Sequence, residues 1–300
     1  MVDLLRSDVL AGLTILITGA SSGIGRATAI AAAKSGCHAL ILFARSTDKL
    51  EETKSEIQST NTKTICILQS VDVQSSKAIY DAVRTALSTN KDVTHIDVLI
   101  NNAGLALGAP ARFPELKLED IDTMTGTNLS GMLYTTHAVL NVASSSGSNS
   151  SMLKRGKGTI MNITSTTAME VPPFPGECIY HTTKAAQEAF TNSLRTELQE
   201  TNIKVIALRP GVVGGTVFHK QRIGFDEDQY NEFMKGFQSL NAEDVAGQII
   251  WVLATGNRQG NEGERVSVKV LEVVPTAQRM LYVIDKTWNQ RNGVEDEKMG

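Results

Sequence analysis

The fold is decided by residues 13–25, which read LTILITGASSGIG. The first five residues are a largely apolar run of strand length, which is typical of a strand buried on both faces of a parallel sheet. A glycine-rich turn follows, and then an Ala-rich helical pattern continues to Lys34. Glycines at such a turn let the backbone approach a ligand, and the helix N-terminus offers free N–H groups to a phosphate. A plain glycine-rich turn is the alternative, but the strand before it and the helix after it favour dinucleotide binding.

Apolar segments of strand length alternate with helical patterns along the rest of the chain. The further predicted strands are 38–43, 64–68, 96–100, 159–164, 203–208 and 268–273. The further predicted helices are 48–58, 74–88, 118–142, 178–200 and 242–255. Strands that alternate with helices pair in parallel through right-handed crossovers. The sequence therefore predicts an α/β fold, a doubly wound parallel sheet of about seven strands with helices on both faces.

Two segments near the C-terminus have no strong pattern. Residues 214–240 are predicted to be irregular or to form short helices, and we expect this segment to be a substrate flap. Residues 277–300 form a polar, weakly patterned C-terminal tail. No flexible linker divides the chain, so residues 1–300 are predicted to form a single dinucleotide-binding domain.

The composition excludes several classes of protein. A net charge of −3 gives no basic footprint for nucleic acid, and no apolar run approaches the roughly 20 residues of a membrane helix. The three cysteines are an odd number in a long chain, which argues against a disulfide framework and fits a reducing compartment. The five histidines and three cysteines lack the spacing of metal ligands, so no metal site is expected. These features predict a soluble cytoplasmic protein.

A second motif follows the predicted strand at 159–164. Ser165 comes directly after that strand, and Tyr180 and Lys184 open the next long helix. Residues four apart on a helix share a face, and a fixed ammonium beside a phenol lowers the phenol's pKa from about 10. The pair would then serve as an acid and a base near neutral pH, with the Ser165 hydroxyl holding a carbonyl oxygen. The spacing also arises by chance on amphipathic helices, so the pair depends on its surroundings for this interpretation.

The end of the second strand bears on the choice of cofactor. An acidic residue there accepts from a ribose 2′-OH, whereas an arginine accommodates a 2′-phosphate. Arg45 stands at this position and no acid precedes it, although a solvated surface charge is the alternative. Asp72 follows the third strand, where it either contacts the adenine or caps the helix that begins near Gln74.

These motifs together resemble the short-chain dehydrogenase/reductase family over roughly residues 11–280. The signatures that carry the resemblance occur in the family's order: Thr18-Gly19-xxx-Gly23-Ile24-Gly25, Asn101-Asn102-Ala103-Gly104, Asn128, Ser165, Tyr180-xxx-Lys184 and Pro210-Gly211. The resemblance implies a Rossmann-type sheet and an enzyme that moves a hydride between a nicotinamide cofactor and its substrate. A catalytically inactive NADP-binding sensor or scaffold is a remote alternative, because inactive relatives usually lose the Tyr, Lys or Ser, and all three are present here.

The family's roles carry over to the matching positions. Tyr180 would be the general acid and base, Lys184 would hold the nicotinamide ribose and lower the Tyr180 pKa, Ser165 would bind the substrate oxygen, and Asn128 would support a water in the proton relay. The residues implied to bind NADP(H) are Gly19, Ser21, Ser22, Gly23, Ile24, Gly25, Arg45, Asp72, Val73, Asn102, Ala103, Gly104, Tyr180, Lys184, Pro210, Gly211 and Val213. The family also commonly forms tetramers, so a homotetramer or homodimer is expected, with a monomer as the alternative.

Within the family, residues 101–108 and 210–218 are similar to the NADP-dependent 3-hydroxy acid dehydrogenases, which include serine and allo-threonine dehydrogenases. Arg222, Gly224, Asp226 and residues 242–246 match the same subgroup. The chain departs from it by a proline-rich insertion at 171–176, which contains Phe174, and by a serine-rich loop at 144–151 that we expect to be mobile.

The resemblance leaves two substrates open. A 3-hydroxy acid needs a cation for its carboxylate, because an unpartnered charge is costly to remove from water. Arg222 is the predicted anchor, and a surface arginine on a mobile flap is the alternative. The second hypothesis is a carbonyl reductase of a larger ketone, whose pocket would be reshaped by the insertion and Phe174. The natural substrate, its stereochemistry and the physiological direction do not follow from the sequence.

Overall fold

The structure is a computed structural model and describes residues 8–144, 150–171, 175–256 and 266–298. Its centre is a seven-stranded sheet in the order β3-β2-β1-β4-β5-β6-β7, and all six neighbouring pairs are parallel. The strands are β1 Thr14–Thr18, β2 Ala39–Ala44, β3 Ile65–Ser70, β4 Val98–Asn101, β5 Lys157–Ile163, β6 Asn202–Pro210 and β7 Val270–Val273. The predicted doubly wound sheet in a single Rossmann-like domain is confirmed.

Helices cover both faces of the sheet. The helices of the described residues are α1 Gly23–Lys34, α2 Thr47–Thr60, α3 Ser76–Thr89, α4 Leu118–Met124, α5 Gly131–Asn141, α6 Met152–Arg155, α7 Cys178–Glu197, α8 Val217–Arg222, α9 Glu227–Met234, α10 Ala242–Gly256 and α11 Trp288–Asn292. None of the helices in the described ranges is long and apolar enough to span a bilayer.

Two hydrophobic clusters hold the sheet between its helices. Apolar side chains of α1, α2 and α10 pack on one face, and those of α3, α5 and α7 pack on the other. All five residues of β1 are buried, and its neighbours on both sides are buried strands. Burial from both faces explains why these strands are continuous apolar runs rather than alternating patterns.

The predicted helix at 118–142 is helical from 118 to 141 in the structure, but it contains a π turn that the sequence pattern did not predict. A π-helical turn, Thr125–Ser130, separates α4 from α5. Glycines stand where this segment passes close to β3's loop: a Cβ at Gly131 would lie 2.8 Å from Val73 Cγ2, and one at Gly126 would lie 2.6 Å from Gln74 Oε1. Single π turns of this kind often occur at functional sites, and this one contains Asn128.

The C-terminal segment is also more ordered in structure than its sequence indicates. Beyond β7 the chain forms an antiparallel hairpin of β8 Gln278–Met280 and β9 Val283–Ile284, followed by α11. Ile284 and Trp288 pack against a small apolar cluster built from the flap between β6 and α10. The description of residues 277–300 as a weakly patterned tail is therefore corrected, because long-range packing organises a segment that has little periodicity of its own.

Candidate active site

A cleft of about 450 Å³ opens at the carboxyl ends of the strands, where the chain leaves β1, β2, β4, β5 and β6. This is where ligands bind in open parallel sheets. The cleft brings together nearly all the residues predicted for cofactor and catalysis: Gly19, Ser21, Ser22, Gly23, Ile24, Arg45, Asp72, Val73, Asn102, Ala103, Gly104, Ser165, Tyr180, Lys184, Pro210, Gly211, Val213 and Arg222. Gly25 and Asn128 lie behind its lining. Residues 172–174 of the insertion, which include Phe174, and residues 145–149 of the serine-rich loop fall outside the described residues.

The glycine turn after β1 is shaped by close backbone contacts. Gly19 has a φ of +66°, which favours glycine, and a Cβ at Gly25 would lie 2.3 Å from the Gly19 carbonyl oxygen. Asn102 holds the same turn, because its side-chain amide donates to the Thr18 and Gly19 carbonyls at 3.0 and 3.2 Å. Gly25 thus supports the turn from beneath, while the N-terminus of α1 faces the cleft.

The outer end of the cleft carries two cations. Arg45 directly follows β2 and is exposed, and its carbonyl oxygen accepts from the Ser70 hydroxyl at 3.0 Å. Lys49, on the first turn of α2, lines the same end of the cleft. The sequence analysis missed Lys49, although its position one turn beyond Arg45 on a helix start was a usable signal.

Asp72 lies at this end of the cleft and does not cap α3. The N-cap is Ser75, whose hydroxyl accepts from Ala78 N at 3.2 Å. The Asp72 carboxylate instead accepts from Gln74 N at 3.0 Å in the preceding turn. The capping alternative is therefore wrong, and contact with the adenine stays a prediction for an exposed carboxylate that lines the cleft.

Ser165, Tyr180 and Lys184 meet at the inner end of the cleft. Burial raises the pKa of the Tyr180 phenol to about 12, and a hydrogen bond with Ser165 acts in the opposite direction. Burial likewise lowers the pKa of Lys184 to about 7. The Lys184 ammonium donates to the Ile163 carbonyl at 2.9 Å and to Gln187 Oε1 at 3.1 Å, and it lies 5.7 Å from the Tyr180 ring centroid.

These contacts correct one expectation. Lys184 was predicted to lower the pKa of Tyr180, but burial raises that pKa, and the charges that act on the phenol are those of Arg222 and Glu177. The phenol is therefore a protonated acid at neutral pH. The predicted spacing did place both groups on one face of α7, and the degree of burial was the missing quantity.

Asn128 holds the cleft wall from behind. Its side-chain oxygen accepts from Leu105 N at 2.9 Å, and its amide donates to Leu105 O at 2.8 Å and Thr183 Oγ1 at 3.1 Å. The backbone carbonyl oxygen of Asn128 accepts from Gln187 Nε2 at 2.5 Å, and Gln187 in turn contacts Lys184. Gln187 therefore links the π turn to Lys184, which the sequence analysis did not foresee. The role of Asn128 in a proton relay stays a prediction.

Arg222 reaches the cleft from α8 and is only 9% exposed. Its Nε donates to Glu177 Oε1 at 2.5 Å, and its Nη1 lies 3.4 Å from His219 Nδ1. The alternative of a surface arginine is therefore wrong, while a role as carboxylate anchor stays a prediction. Glu177 and His219 were missed because neither belongs to a motif.

The fold and the cleft define an α/β protein of the doubly wound, nucleotide-binding class. Residues 13–224 match the short chain dehydrogenase family. The chain is 38% identical over 242 residues to the NADP-dependent 3-hydroxy acid dehydrogenase of Schizosaccharomyces pombe, a match that covers 81% of this chain and 87% of that protein. It is 33% identical to the serine 3-dehydrogenase of Agrobacterium fabrum, over 88% of this chain and 94% of that protein.

Solved structures are similar as well. The closed form of a serine dehydrogenase complexed with NADP+ superposes with a TM-score of 0.74 at 31% identity, covering 89% of this chain and 96% of that one. This chain belongs to the short-chain dehydrogenase/reductase family, and the resemblance to its 3-hydroxy acid dehydrogenase subgroup is confirmed.

Proposed function

We propose that this protein is an NADP(H)-dependent oxidoreductase that interconverts a hydroxyl and a carbonyl group, with a 3-hydroxy acid or a related small hydroxy compound as its substrate. The observation that carries the proposal is that one cleft joins Arg45 at its outer end to Ser165, Tyr180 and Lys184 at its inner end. The names of the similar dehydrogenases support both the cofactor and the class of substrate.

The residues of the cleft fit NADP(H). The turn at Gly19 and the N-terminus of α1 offer backbone N–H groups to a pyrophosphate. Because Gly25 has no Cβ, the turn can pack closely against the start of α1, which leaves room for the pyrophosphate to approach the backbone. Arg45 and Lys49 supply positive charge for a 2′-phosphate where an acid would favour NAD(H). The remaining predicted contacts, Val73, Asn102, Ala103, Gly104, Pro210, Gly211 and Val213, would line the rest of the cofactor. When bound, the nicotinamide would supply or accept the hydride.

The catalytic side chains move the proton. Because its pKa is raised, Tyr180 holds its proton at neutral pH and would donate it to the carbonyl oxygen during reduction. The Ser165 hydroxyl, which hydrogen-bonds with Tyr180, would hold the same oxygen. A phenolate beside Lys184 favours the protonated form of this lysine, although burial lowers its pKa to about 7. In that form Lys184 would stabilise the phenolate that remains, with Gln187 and the Ile163 carbonyl fixing its position.

The substrate end is proposed to recognise a carboxylate through Arg222. This arginine lines the cleft, and its α8 helix also places Phe218 with its ring centroid 5.4 Å from that of Tyr180. Leu281 of the C-terminal hairpin closes the same wall and donates its N–H to Glu170 Oε2 at 2.8 Å. The pocket for the reacting group therefore combines a cation with apolar walls.

A carbonyl reductase of larger ketones is the second candidate function. Exposed apolar side chains flank the Leu281–Glu170 hydrogen bond: Met169 and Val171 are 59% and 74% exposed, and Met280 and Tyr282 are 47% and 58% exposed. They offer binding surface to an apolar substituent outside the cleft.

The protein is proposed to be a cytoplasmic homo-oligomer, a tetramer or a dimer. The free thiols Cys37, Cys66 and Cys178 support a reducing compartment. The 20-residue helix α7 and the half-exposed Tyr134 on α5 support assembly through the long helices. Light scattering on an eluting size-exclusion peak measures the mass, and a peak at the mass of one chain would contradict the assembly.

A substrate panel tests the proposed function. Small 3-hydroxy acids, their keto forms, simple alcohols and bulky apolar ketones are each assayed with NADP(H) and with NAD(H). We expect the highest kcat/KM for a 3-hydroxy acid with NADP(H). Reduction of bulky ketones without any turnover of hydroxy acids would favour the second candidate. NADPH binding without turnover of any compound would exclude both.

A further inference from the structure

A buried pair of opposite charges joins α8 to the start of α7. Glu177 immediately precedes α7 and lies three residues before Tyr180, and Arg222 is the last residue of α8. Their contact is short, 2.5 Å from Arg222 Nε to Glu177 Oε1, and the two residues are only 2% and 9% exposed. The mechanism proposed above uses the arginine and assigns no role to the glutamate.

The two charges stand differently toward the cleft. Arg222 lines it, whereas Glu177 is behind the lining. Both act electrostatically on the Tyr180 hydroxyl, and they shift the phenol's pKa in opposite directions: Arg222 lowers it and Glu177 raises it. Both charges therefore change the electrostatic potential where the substrate oxygen would bind, even though only Arg222 lines the cleft.

The third member of this group carries no charge. Burial lowers the pKa of His219 to about 3, with the Arg222 charge adding to the effect. A neutral imidazole can accept from Arg222 through Nδ1, and the two atoms are 3.4 Å apart. Burial raises the pKa of Glu177, and the charge and hydrogen bond of Arg222 act in the opposite direction. With this carboxylate ionised, the formal charge of Glu177, His219 and Arg222 together is close to zero.

A carboxylate bound near Arg222 would meet the negative charge of Glu177 as well as the guanidinium. Glu177 Oε2 has no hydrogen-bond donor among the described residues, so its charge is not fully compensated by hydrogen bonds. In a buried site the screening is weak, so a charge behind the arginine reduces the attraction that reaches the cleft. A neutral ester of the same compound would feel little of either charge.

We infer that Glu177 is a charge-balancing and positioning residue that lets the site take both free 3-hydroxy acids and their uncharged esters. Its carboxylate orients Arg222 through Nε and partly cancels the positive charge that selects for an acid. The inference rests on the proposed function, because it concerns the substrate of that same reaction. It goes beyond it by widening the substrate class to neutral derivatives.

The test compares 3-hydroxybutyrate with its methyl ester. For each compound kcat/KM is measured with NADP+ in the wild type, in Glu177→Gln and in the charge-preserving Glu177→Asp. NADPH affinity and the melting temperature are measured alongside. We expect the acid-to-ester ratio of kcat/KM to rise ~10-fold in Glu177→Gln, the effect of about 1.4 kcal/mol, mainly through a lower KM for the acid. Glu177→Asp should stay near the wild-type ratio.

A second pair of variants covers the case in which Glu177→Gln does not fold. Arg222→Met is compared with the double variant Glu177→Leu/Arg222→Met, because replacing both members of a buried ion pair by apolar residues of similar volume is often neutral for stability. Loss of Glu177 should raise the acid-to-ester ratio in this background too. A ratio that is unchanged or lower on loss of Glu177, with both compounds turned over, overturns the inference alone. If the wild type turns over neither compound, the proposed function and the inference both fall.

Discussion

Replacement of Arg45 by serine should cost the protein its preference for NADP(H). Arg45 follows β2 and lines the outer end of the cleft, and Ala44 before it removes the acid that would repel a 2′-phosphate. A hydrogen bond to a charged group contributes about 1.5–3 kcal/mol, and exposed ion pairs contribute about 0.2–1 kcal/mol. Because Arg45 is exposed, we take the lower end of the first range, which corresponds to ~10-fold in kcat/KM.

Lys49 makes the size of this effect informative. It lines the same end of the cleft, so Arg45→Ser leaves one cation in place, and the double variant Arg45→Ser/Lys49→Ser should lose roughly another 10-fold with NADPH. Kinetics with NADH should change little in either variant, since no phosphate is present to lose. Adding Ala44→Asp should erode or reverse the preference by supplying an acceptor for a 2′-OH.

The assay measures initial rates with each cofactor at a fixed carbonyl substrate, together with cofactor affinity from a fluorescence titration. Arg84→Ser, which removes an exposed cation on α3 outside the cleft lining, is the matched control. Equal losses with NADPH and NADH in Arg45→Ser would refute the reasoning, because the arginine would then serve the whole cleft rather than the phosphate. Equal efficiency with both cofactors in the wild type would refute it as well.

Three further outcomes are expected. Tyr180→Phe removes the buried acid and should lower turnover by ~10²–10⁴ while NADPH still binds; activity within a few fold of wild type would exclude the assigned role. Gly25→Ala places a Cβ 2.3 Å from Gly19 O and should destabilise the fold by about 1–3 kcal/mol and weaken NADPH binding, whereas Gly247→Ala has open space and should do neither. Glu297→Gln weakens three hydrogen bonds to the flap and should destabilise the flap by about 1–3 kcal/mol. We expect this to raise the substrate KM several fold and to leave NADPH affinity unchanged. The same rise in KM in Glu295→Gln would contradict this.

The sheet and the cofactor end of the cleft could be predicted because their information is local. A strand buried on both faces must be apolar throughout, so the runs at 13–17 and 38–43 lie within one residue of the observed strands Thr14–Thr18 and Ala39–Ala44. The turn at Gly19 and the cation at Arg45 each follow their strand directly. Once the strands are parallel, their carboxyl ends meet at one edge, so residues far apart in sequence share a cleft.

The state of the catalytic groups could not be predicted in the same way. Spacing placed Tyr180 and Lys184 on one face of a helix, but spacing does not report how much water the folded protein excludes. Burial raises the pKa of one group to about 12 and lowers that of the other to about 7. The π turn at 125–130 was missed for a related reason, because its segment lies close to Val73 and Gln74, which are far from it in sequence.

The substrate end differs from the cofactor end in how the chain builds it. It joins the loop after Ser165, the flap and the C-terminal segment, and hydrogen bonds connect them. Leu281 N donates to Glu170 Oε2, and Arg222 Nε donates to Glu177 Oε1. The Glu297 carboxylate accepts from Gly215 N, Tyr230 Oη and Ser239 Oγ at 2.7–2.8 Å. None of these segments carries a periodic pattern that fixes it alone, so each depends on the others. Changes in any of them should therefore alter recognition of the substrate, while the locally encoded turn at Gly19 should still bind the cofactor. Substrate specificity and cofactor binding are thus separated within a single domain.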